Sequence, residues 1–193
     1  MDDDDFEDKQ PRSAAEIAQR VLALIAVIGK VQFPSQNAKW IEDHGIARYL
    51  SEAEQEFINN PIPAQRDMVN FSWWAEALVP LLWSLHGLEQ MPVLSEQFDA
   101  FGNTMVRQAI GQTPQFLQQA RRREFDELQE QEQYLYHQHW RVRDRDLGFN
   151  NDEPEADDPD INSLNSGLVY ERRYAMSWII GYGDSWDDVP TDT

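Results

Sequence analysis

The carboxylate of Glu76 is the group in this chain whose setting is most suited to chemistry, because it lies in the longest strongly apolar segment. Residues 65–86 read QRDMVNFSWWAEALVPLLWSLH, so Glu76 follows two tryptophans and precedes an apolar stretch. An ionised carboxylate in apolar surroundings needs a cationic partner, or its pKa rises. Such a carboxylate is either half of a structural ion pair or part of a catalytic or binding site, since both settings perturb pKa values.

Two later segments carry the arginines that we expect Glu76 to meet. Residues 139–146 read HWRVRDRD and residues 171–173 read ERR. His139 and Arg143 are four residues apart and therefore share one face of a helix. Arginines in this pattern are typical of a structural charge network, or of a pocket for a carboxylate or phosphate ligand. The predicted buried polar cluster comprises Glu76, Arg143, Asp144, Glu171, Arg172, Arg173 and Asp187.

A tryptophan near the end of the chain predicts that the last residues fold back onto the body of the protein. Trp186 is followed directly by Asp187 and Asp188. We expect Trp186 to pack on the core and one of the aspartates to pair with an arginine. This is a packing feature and implies no chemistry.

No metal or cofactor is predicted. Residues 158–162 resemble the start of a calcium-binding loop, but Ser163 stands where that loop has glycine and Val169 where it has glutamate. His137 and His139 are two residues apart, about 200° around a helix, and cannot bind one metal ion together. The motifs of zinc proteases, di-iron bundles, serine hydrolases and nucleotide-binding proteins are absent from the sequence.

The charge of the chain is strongly negative and unevenly placed. It has 35 acidic and 16 basic residues, a net charge of −19. Residues 1–8 hold six acids and no base, residues 9–150 have a net charge of −4, and residues 151–193 have a net charge of −9. Clustered carboxylates repel nucleic acids and anionic membranes, so neither is an expected partner. The acidic ends either keep the protein soluble or dock onto a basic protein.

Length and composition predict one helical domain in the cytoplasm. The 193 residues fit a single domain, with residues 1–11 as a disordered acidic tail and residues 12–193 as the folded part. The chain has no cysteine, which excludes disulfides and thiolate sites. Its acidic start is opposite in sign to a signal peptide. The longest apolar run, residues 21–28, is too short for a bilayer, which takes about 20 residues.

The elements that must position these residues are predicted to be helices. Ser13 and Glu16 form a capping box ahead of apolar residues at helical spacing, and Gly29 is placed to end that helix. Residues 65–86 are apolar on all sides, which predicts a buried central helix kinked at Pro80. The sequence therefore predicts an all-α fold, an irregular helical bundle around this segment. Further helices are predicted over residues 38–44, 52–59, 96–110, 113–147 with a break near 121–123, and 167–180.

Five segments occur in a fixed order along the chain: RSAAEIAQR, FSWWAEALVPLLWSL, HWRVRDRDLG, VYERRYAMSWIIG and WDDVPTDT. Together they resemble an uncharacterised bacterial family that is catalogued only as a domain of unknown function. The resemblance covers nearly all of residues 12–193. The resemblance implies that the chain is related to this family, and it implies no activity. We expect the polar and tryptophan residues of the five segments to lie close together in the fold.

The leading functional hypothesis is a non-enzymatic protein-interaction protein, an adaptor or an immunity-type binder of a basic partner. It is based on the acidic ends and the lack of catalytic motifs. The alternative is an enzyme or a small anionic-ligand binder that uses Glu76 and the arginines. A third interpretation is that the cluster only holds the fold together. A closed core around Glu76 argues against a ligand site there, whereas an open cavity of about 300 Å³ or more favours one.

Overall fold

The computed structural model describes residues 10–149, 151 and 154–191, which form helices and loops without a strand. The predicted all-α fold is confirmed. The predicted disordered tail, residues 1–11, lies outside the described residues except for Gln10 and Pro11. The α-helices of the described chain are α1 (Ala14–Gln32), α2 (Pro34–His44), α3 (Glu52–Asn59), α4 (Gln65–Trp73), α5 (Leu78–Ser84), α6 (Thr104–Gly111), α7 (Thr113–Gln119), α8 (Phe125–Leu147) and α9 (Ser166–Ile180).

Helix α1 lies at the centre of the bundle. It is buried at almost every position from Ile17 to Gly29 and packs against each of the helices α2 to α7. The predicted capping box of Ser13 and Glu16 is present at its start. The helix continues to Gln32, so the predicted end at Gly29 is wrong. Gly29 instead allows close packing on α2, because a Cβ there would collide with the side chain of Asn37. Among the described helices, α1 included, none is both long and apolar enough to cross a membrane.

The segment 65–86 differs from the single buried helix that was predicted. Helix α4 ends at Trp73 and α5 begins at Leu78, and in the turn between them the N–H of Glu76 bonds to a carbonyl three residues back. Pro80 gives the physical reason. Proline has no N–H to donate to the carbonyl four residues back, so it interrupts a continuous helix. In the first turn of α5 the backbone N–H groups have no partner within the helix, so proline is tolerated there. Helix α5 is buried throughout, whereas α4 has no buried residue. The buried centre of the bundle is therefore α1 together with α5.

Of two other predicted helix boundaries, the start of α6 is wrong and the break between α7 and α8 is confirmed. Residues 88–103 form a loop, so α6 begins at Thr104 rather than at residue 96, and Asn103 caps it through its side chain. The break that was predicted near residues 121–123 is confirmed, because α7 and α8 are separate helices. The long loop needs hydrogen-bond partners from elsewhere in the fold, since it has no helix or strand of its own.

Helices α8 and α9 make the most extensive contact between any two described helices. Helix α9 also packs against α4 and α5, so it joins α8 to the core. Both α8 and α9 end as predicted at glycines, Gly148 and Gly181, whose φ angles are 73° and 105°. Arg172 and Arg173 on α9 therefore lie between α8 and α5.

Gly181 provides a test of this arrangement. A Cβ at this position would lie 2.6 Å from the backbone oxygen of Gln10, and the φ of 105° is one that L-residues rarely adopt. We expect Gly181→Ala to lower the free energy of unfolding by about 1–3 kcal/mol in urea denaturation. Gly111 has open space around its Cα, so Gly111→Ala should be neutral or stabilising by up to about 1 kcal/mol. Equal losses for the two variants would contradict this interpretation.

Candidate functional site

Glu76 lies in the turn between α4 and α5 and is only 3% exposed. Its Oε2 accepts hydrogen bonds from Nε and Nη2 of Arg172 on α9, at 3.0 and 2.8 Å. Its Oε1 accepts a hydrogen bond from the backbone N–H of Phe98 at 2.7 Å. The predicted burial of Glu76 and its pairing with an arginine are therefore confirmed. Both carboxylate oxygens are occupied by donors of the protein itself.

Arg172 joins the Glu76 carboxylate to the loop of residues 88–103. It has no exposed surface, and it also donates to the backbone carbonyls of Pro92, Val93 and Glu96. One guanidinium thus binds a carboxylate and several loop carbonyls at once, which its fork of donors allows. Neither charged group of the pair is accessible to a solute in this arrangement.

Glu171 is the neighbour of Arg172 on α9 and is half-buried. Among the described residues no donor or cation is paired with its carboxylate. Burial and the nearby charge of Glu76 raise the pKa of Glu171 from 4.5 to about 7. Glu171 therefore exchanges a proton near neutral pH, which is the property that a general acid or base requires.

Arg173 belongs to a second network, on the α8 side of α9. Its Nη1 lies 2.6 Å from Nδ1 of His139 and 3.2 Å from the carbonyl oxygen of Thr191, and its guanidinium is stacked 4.7 Å from the ring centre of Tyr136. Because a guanidinium only donates, Nδ1 of His139 accepts, and the neutral ring carries its proton on Nε2. Burial, followed by the charges of Arg173 and Arg143, lowers the pKa of His139 from 6.5 to about 4.

The other members of the predicted cluster lie apart from Glu76. Asp144 is buried and accepts hydrogen bonds from the backbone and side-chain nitrogens of Asn151, at 2.7 and 3.1 Å. Arg143 and Asp187 are exposed, and within the described ranges neither forms an ion pair. The predicted cluster is therefore divided among separate contacts, because α9 directs its adjacent arginines to opposite sides of the bundle.

The end of the chain folds back as predicted. Trp186 is 5% exposed, and its ring centre lies 5.5 Å from that of Trp178 and 6.4 Å from that of Trp74. The expected pairing of an adjacent aspartate with an arginine is not found in the described part of the chain, where Asp187 is exposed. Trp140 is also exposed, so the tryptophans of the family motifs do not all converge.

A buried carboxylate in the acidic loop, Asp158, was not anticipated as a structural group. Its side chain is 5% exposed and lies 2.9 Å from Nε2 of His137, 2.6 Å from Nε2 of Gln138 and 2.8 Å from the N–H of Glu155. Burial alone would raise the pKa of Asp158, but these hydrogen bonds outweigh it and lower the pKa to about 2. Asp158 thus holds the loop against α8. Across the described ranges, no group of three or more His, Asp and Glu side chains is arranged to hold a metal ion.

A second buried ion pair, between Arg20 on α1 and Glu54 on α3, was also missed. The Glu54 carboxylate accepts hydrogen bonds from Arg20 and from the backbone N–H of Ser51, at 2.8 Å for the latter. Glu54 also completes a capping box with Ser51 at the start of α3, so its carboxylate serves both purposes. The available signal was Arg20 itself, a charge within the otherwise apolar stretch of α1.

About half of the lysines and arginines in the described part of the chain donate to backbone carbonyls that are distant in sequence. Lys30 binds the carbonyls at the end of α3 in this way. Arginines that do the same are Arg12, Arg122, Arg123, Arg141, Arg145, Arg172 and Arg173. In contrast, many carboxylates are exposed without a cation paired to them among the described residues: Glu42, Glu52, Glu56, Asp126, Glu130, Glu155, Asp157, Asp160, Asp184, Asp187 and Asp188.

The fold and its buried ion pairs define an all-α domain with a closed polar core. The chain belongs to the DUF4272 family, a domain of unknown function, whose pattern matches residues 4–189. The resemblance to a family of unknown function is therefore confirmed. No curated protein and no solved structure matches the chain significantly.

Removing one half of the Glu76–Arg172 pair leaves the other charge buried without a partner. We expect Glu76→Gln and Arg172→Met each to lower the free energy of unfolding by about 3–5 kcal/mol. The double variant should lose less than the sum of the two, as urea denaturation in a double-mutant cycle would measure. The exposed pair of Lys39 and Asp43 is the control, and Asp43→Asn should cause no measurable change. Strictly additive losses at positions 76 and 172 would contradict this interpretation.

Glu171 should make stability depend on pH in a specific direction. Its pKa is higher in the folded protein than in the unfolded chain, so its contribution is fully present below about pH 4.5 and is lost as the pH rises to about 7. We expect Glu171→Gln to match the wild type near pH 4.5 and to exceed its stability by about 1–3 kcal/mol near pH 8. Urea denaturation across this range measures the difference. Glu130→Gln is the exposed control, and a pH-independent effect of Glu171→Gln would count against the raised pKa.

Proposed function

We propose that this protein acts by binding a basic partner protein, as an adaptor or an immunity-type binder, and that it is not an enzyme. The observation that supports this proposal is the division of charge. Many cations donate to backbone carbonyls, while many exposed acidic side chains form no ion pair with another described residue. The surface therefore presents more negative potential than a chain whose charges were paired with one another.

The surface proposed to meet the partner is an acidic ridge, defined here as Asp126, Glu130, Glu155 and Asp157. The first two are four residues apart on α8, and the same helix face carries His137 about two turns beyond Glu130. Asp158 is held at His137 and accepts a hydrogen bond from the N–H of Glu155, so the exposed acids of the loop lie near this part of α8. With a rise of 1.5 Å per residue, Glu130 lies about 10 Å from His137 along the helix axis. This distance is about one Debye length, so the charges at the two places act on an approaching partner together.

A basic protein suits this ridge better than the other classes of partner. Nucleic acids and anionic membranes carry the same sign of charge as the ridge and are repelled. Lysine and arginine side chains of a partner would be attracted from a distance, which raises the association rate and makes binding sensitive to salt.

The alternative, an enzyme or small anionic-ligand binder that uses Glu76 and the arginines, has weaker support. Glu76 and Arg172 are closed off and bind one another and the backbone. Glu171 has a pKa suited to proton transfer, but it lacks a donor, a cation or a second catalytic group paired with it among the described residues.

The proposal is tested by affinity capture from native cell extract with a ridge variant, in which Asp126 and Asp157 become Asn and Glu130 and Glu155 become Gln. We expect the wild type to retain a partner of high isoelectric point, and the ridge variant to lose it. Adding roughly 0.5 M salt should release the partner from the wild type, because the Debye length falls to a few ångströms.

A matched variant controls for net charge by neutralising four acids elsewhere on the surface: Glu42, Glu52, Glu56 and Asp188. It should retain the partner. Equal loss with both variants would show that total charge matters rather than the ridge. Recovery of no basic partner by the wild type would contradict the proposal itself.

A further inference from the structure

A cavity of about 310 Å³ lies at the start of α1, between the segment before α3 and the C-terminal segment. Its size is at the lower end of the range for small-ligand sites, about 300–1,000 Å³. Its walls combine guanidinium groups with aromatic rings, which contrasts with the otherwise acidic surface. It is separate from both the acidic ridge and the Glu76–Arg172 pair.

Three arginines in the cavity walls are each stacked on an aromatic ring of the same walls. Stacking fixes the plane of a guanidinium and leaves the N–H groups at its edge available as donors. Aromatic walls also provide a surface for an apolar group of a ligand. The distances from guanidinium carbon to ring centre are 5.2 Å for Arg12 and Trp178, 4.8 Å for Arg20 and Trp186, and 4.7 Å for Arg48 and Tyr49.

Three buried donors on residues of these walls have no acceptor among the described residues. Arg20 is 5% exposed and pairs with Glu54 through Nη2, but its Nε has no acceptor among the described residues. The same is true of Nε of Arg12 and Nε1 of Trp186. Buried donors without acceptors are rare and costly. A carboxylate is the acceptor that matches guanidinium groups best.

The charges around the cavity are balanced rather than uniformly positive. Glu54 neutralises Arg20, which leaves Arg12 and Arg48 against Glu16 and Asp184 on the walls. Two wall carboxylates would repel a polyanion, and the guanidinium groups would repel a simple cation. A zwitterionic ligand, with one positive and one negative charge on different groups, matches this lining.

We propose that the cavity binds a free α-amino acid with an apolar or aromatic side chain. The carboxylate of the ligand is bound by Arg12 and Arg48, and its ammonium group is bound by Asp184. The side chain lies against Trp178 and Trp186. This inference goes beyond the binding of a basic partner and does not depend on it, since the two surfaces share no residue.

Isothermal titration calorimetry of the full chain with L-leucine, L-methionine, L-phenylalanine and L-tryptophan tests the proposal. At least one of them should bind with a Kd of about 1 mM or tighter. The amide of the best ligand lacks the carboxylate, and its deaminated acid lacks the ammonium group. Each should bind roughly tenfold more weakly or worse.

Two exposed wall residues separate binding from folding. Arg48→Met and Asp184→Asn should each weaken binding of the amino acid by roughly tenfold, with an unchanged urea midpoint. Asp184→Asn should leave the affinity for the deaminated acid unchanged, because that ligand has no ammonium group. Arg66→Met and Asp126→Asn, which lie outside the cavity, are matched controls and should bind as the wild type does.

Two results would overturn the proposal. One is that none of the four amino acids binds at about 10 mM, tenfold above the expected Kd. The other is that the deaminated acid binds as tightly as the amino acid, which would leave a plain carboxylate site.

Discussion

The hydrogen-bonded pair of Glu76 and Arg172 links three parts of the chain that are distant in sequence. The carboxylate comes from the turn before α5, the guanidinium from α9, and the remaining donors of Arg172 bind carbonyls of the loop 88–103. Burying two charges is costly unless each finds a partner, so the pair constrains all three parts together. It acts together with the apolar packing of α9 onto α5 and with the hydrogen bond from the N–H of Asn165 to the carbonyl of Leu94 in the long loop.

The same use of arginine recurs across the molecule and explains its electrostatic character. Loops without regular structure need donors for their carbonyls, and this chain supplies many of them from guanidinium groups. Cations used in this way are not available to neutralise surface carboxylates. The acidic surface is therefore partly a consequence of how the interior is held together. The cavity near Arg12 and Arg48 is a place where guanidinium groups also reach the surface.

Local signals in the sequence predicted the elements well, and long-range pairing was predicted less well. The capping box of Ser13 and Glu16 marked the start of α1, and the predicted ends at residues 147 and 180 are those of α8 and α9. Burial of Glu76 followed from its apolar neighbours. The choice of Arg172 among several arginines depended on the packing of α8 on α9, which no local pattern specifies. Arg20 and Asp158 were missed for a related reason. Each had a satisfactory local interpretation, as part of an apolar helix or of a solvated loop, while its actual partner lies on another element.

Pro80 has a consequence that extends beyond the shape of its own helix. Because the ring removes a donor, the chain restarts a helix at Leu78 and leaves Glu76 in a tight turn whose geometry is set locally. The orientation of the carboxylate is thus determined by an imino acid four positions away that makes no polar contact with it. The residue at position 80 therefore affects the backbone geometry at position 76, although the two side chains do not interact through polar groups.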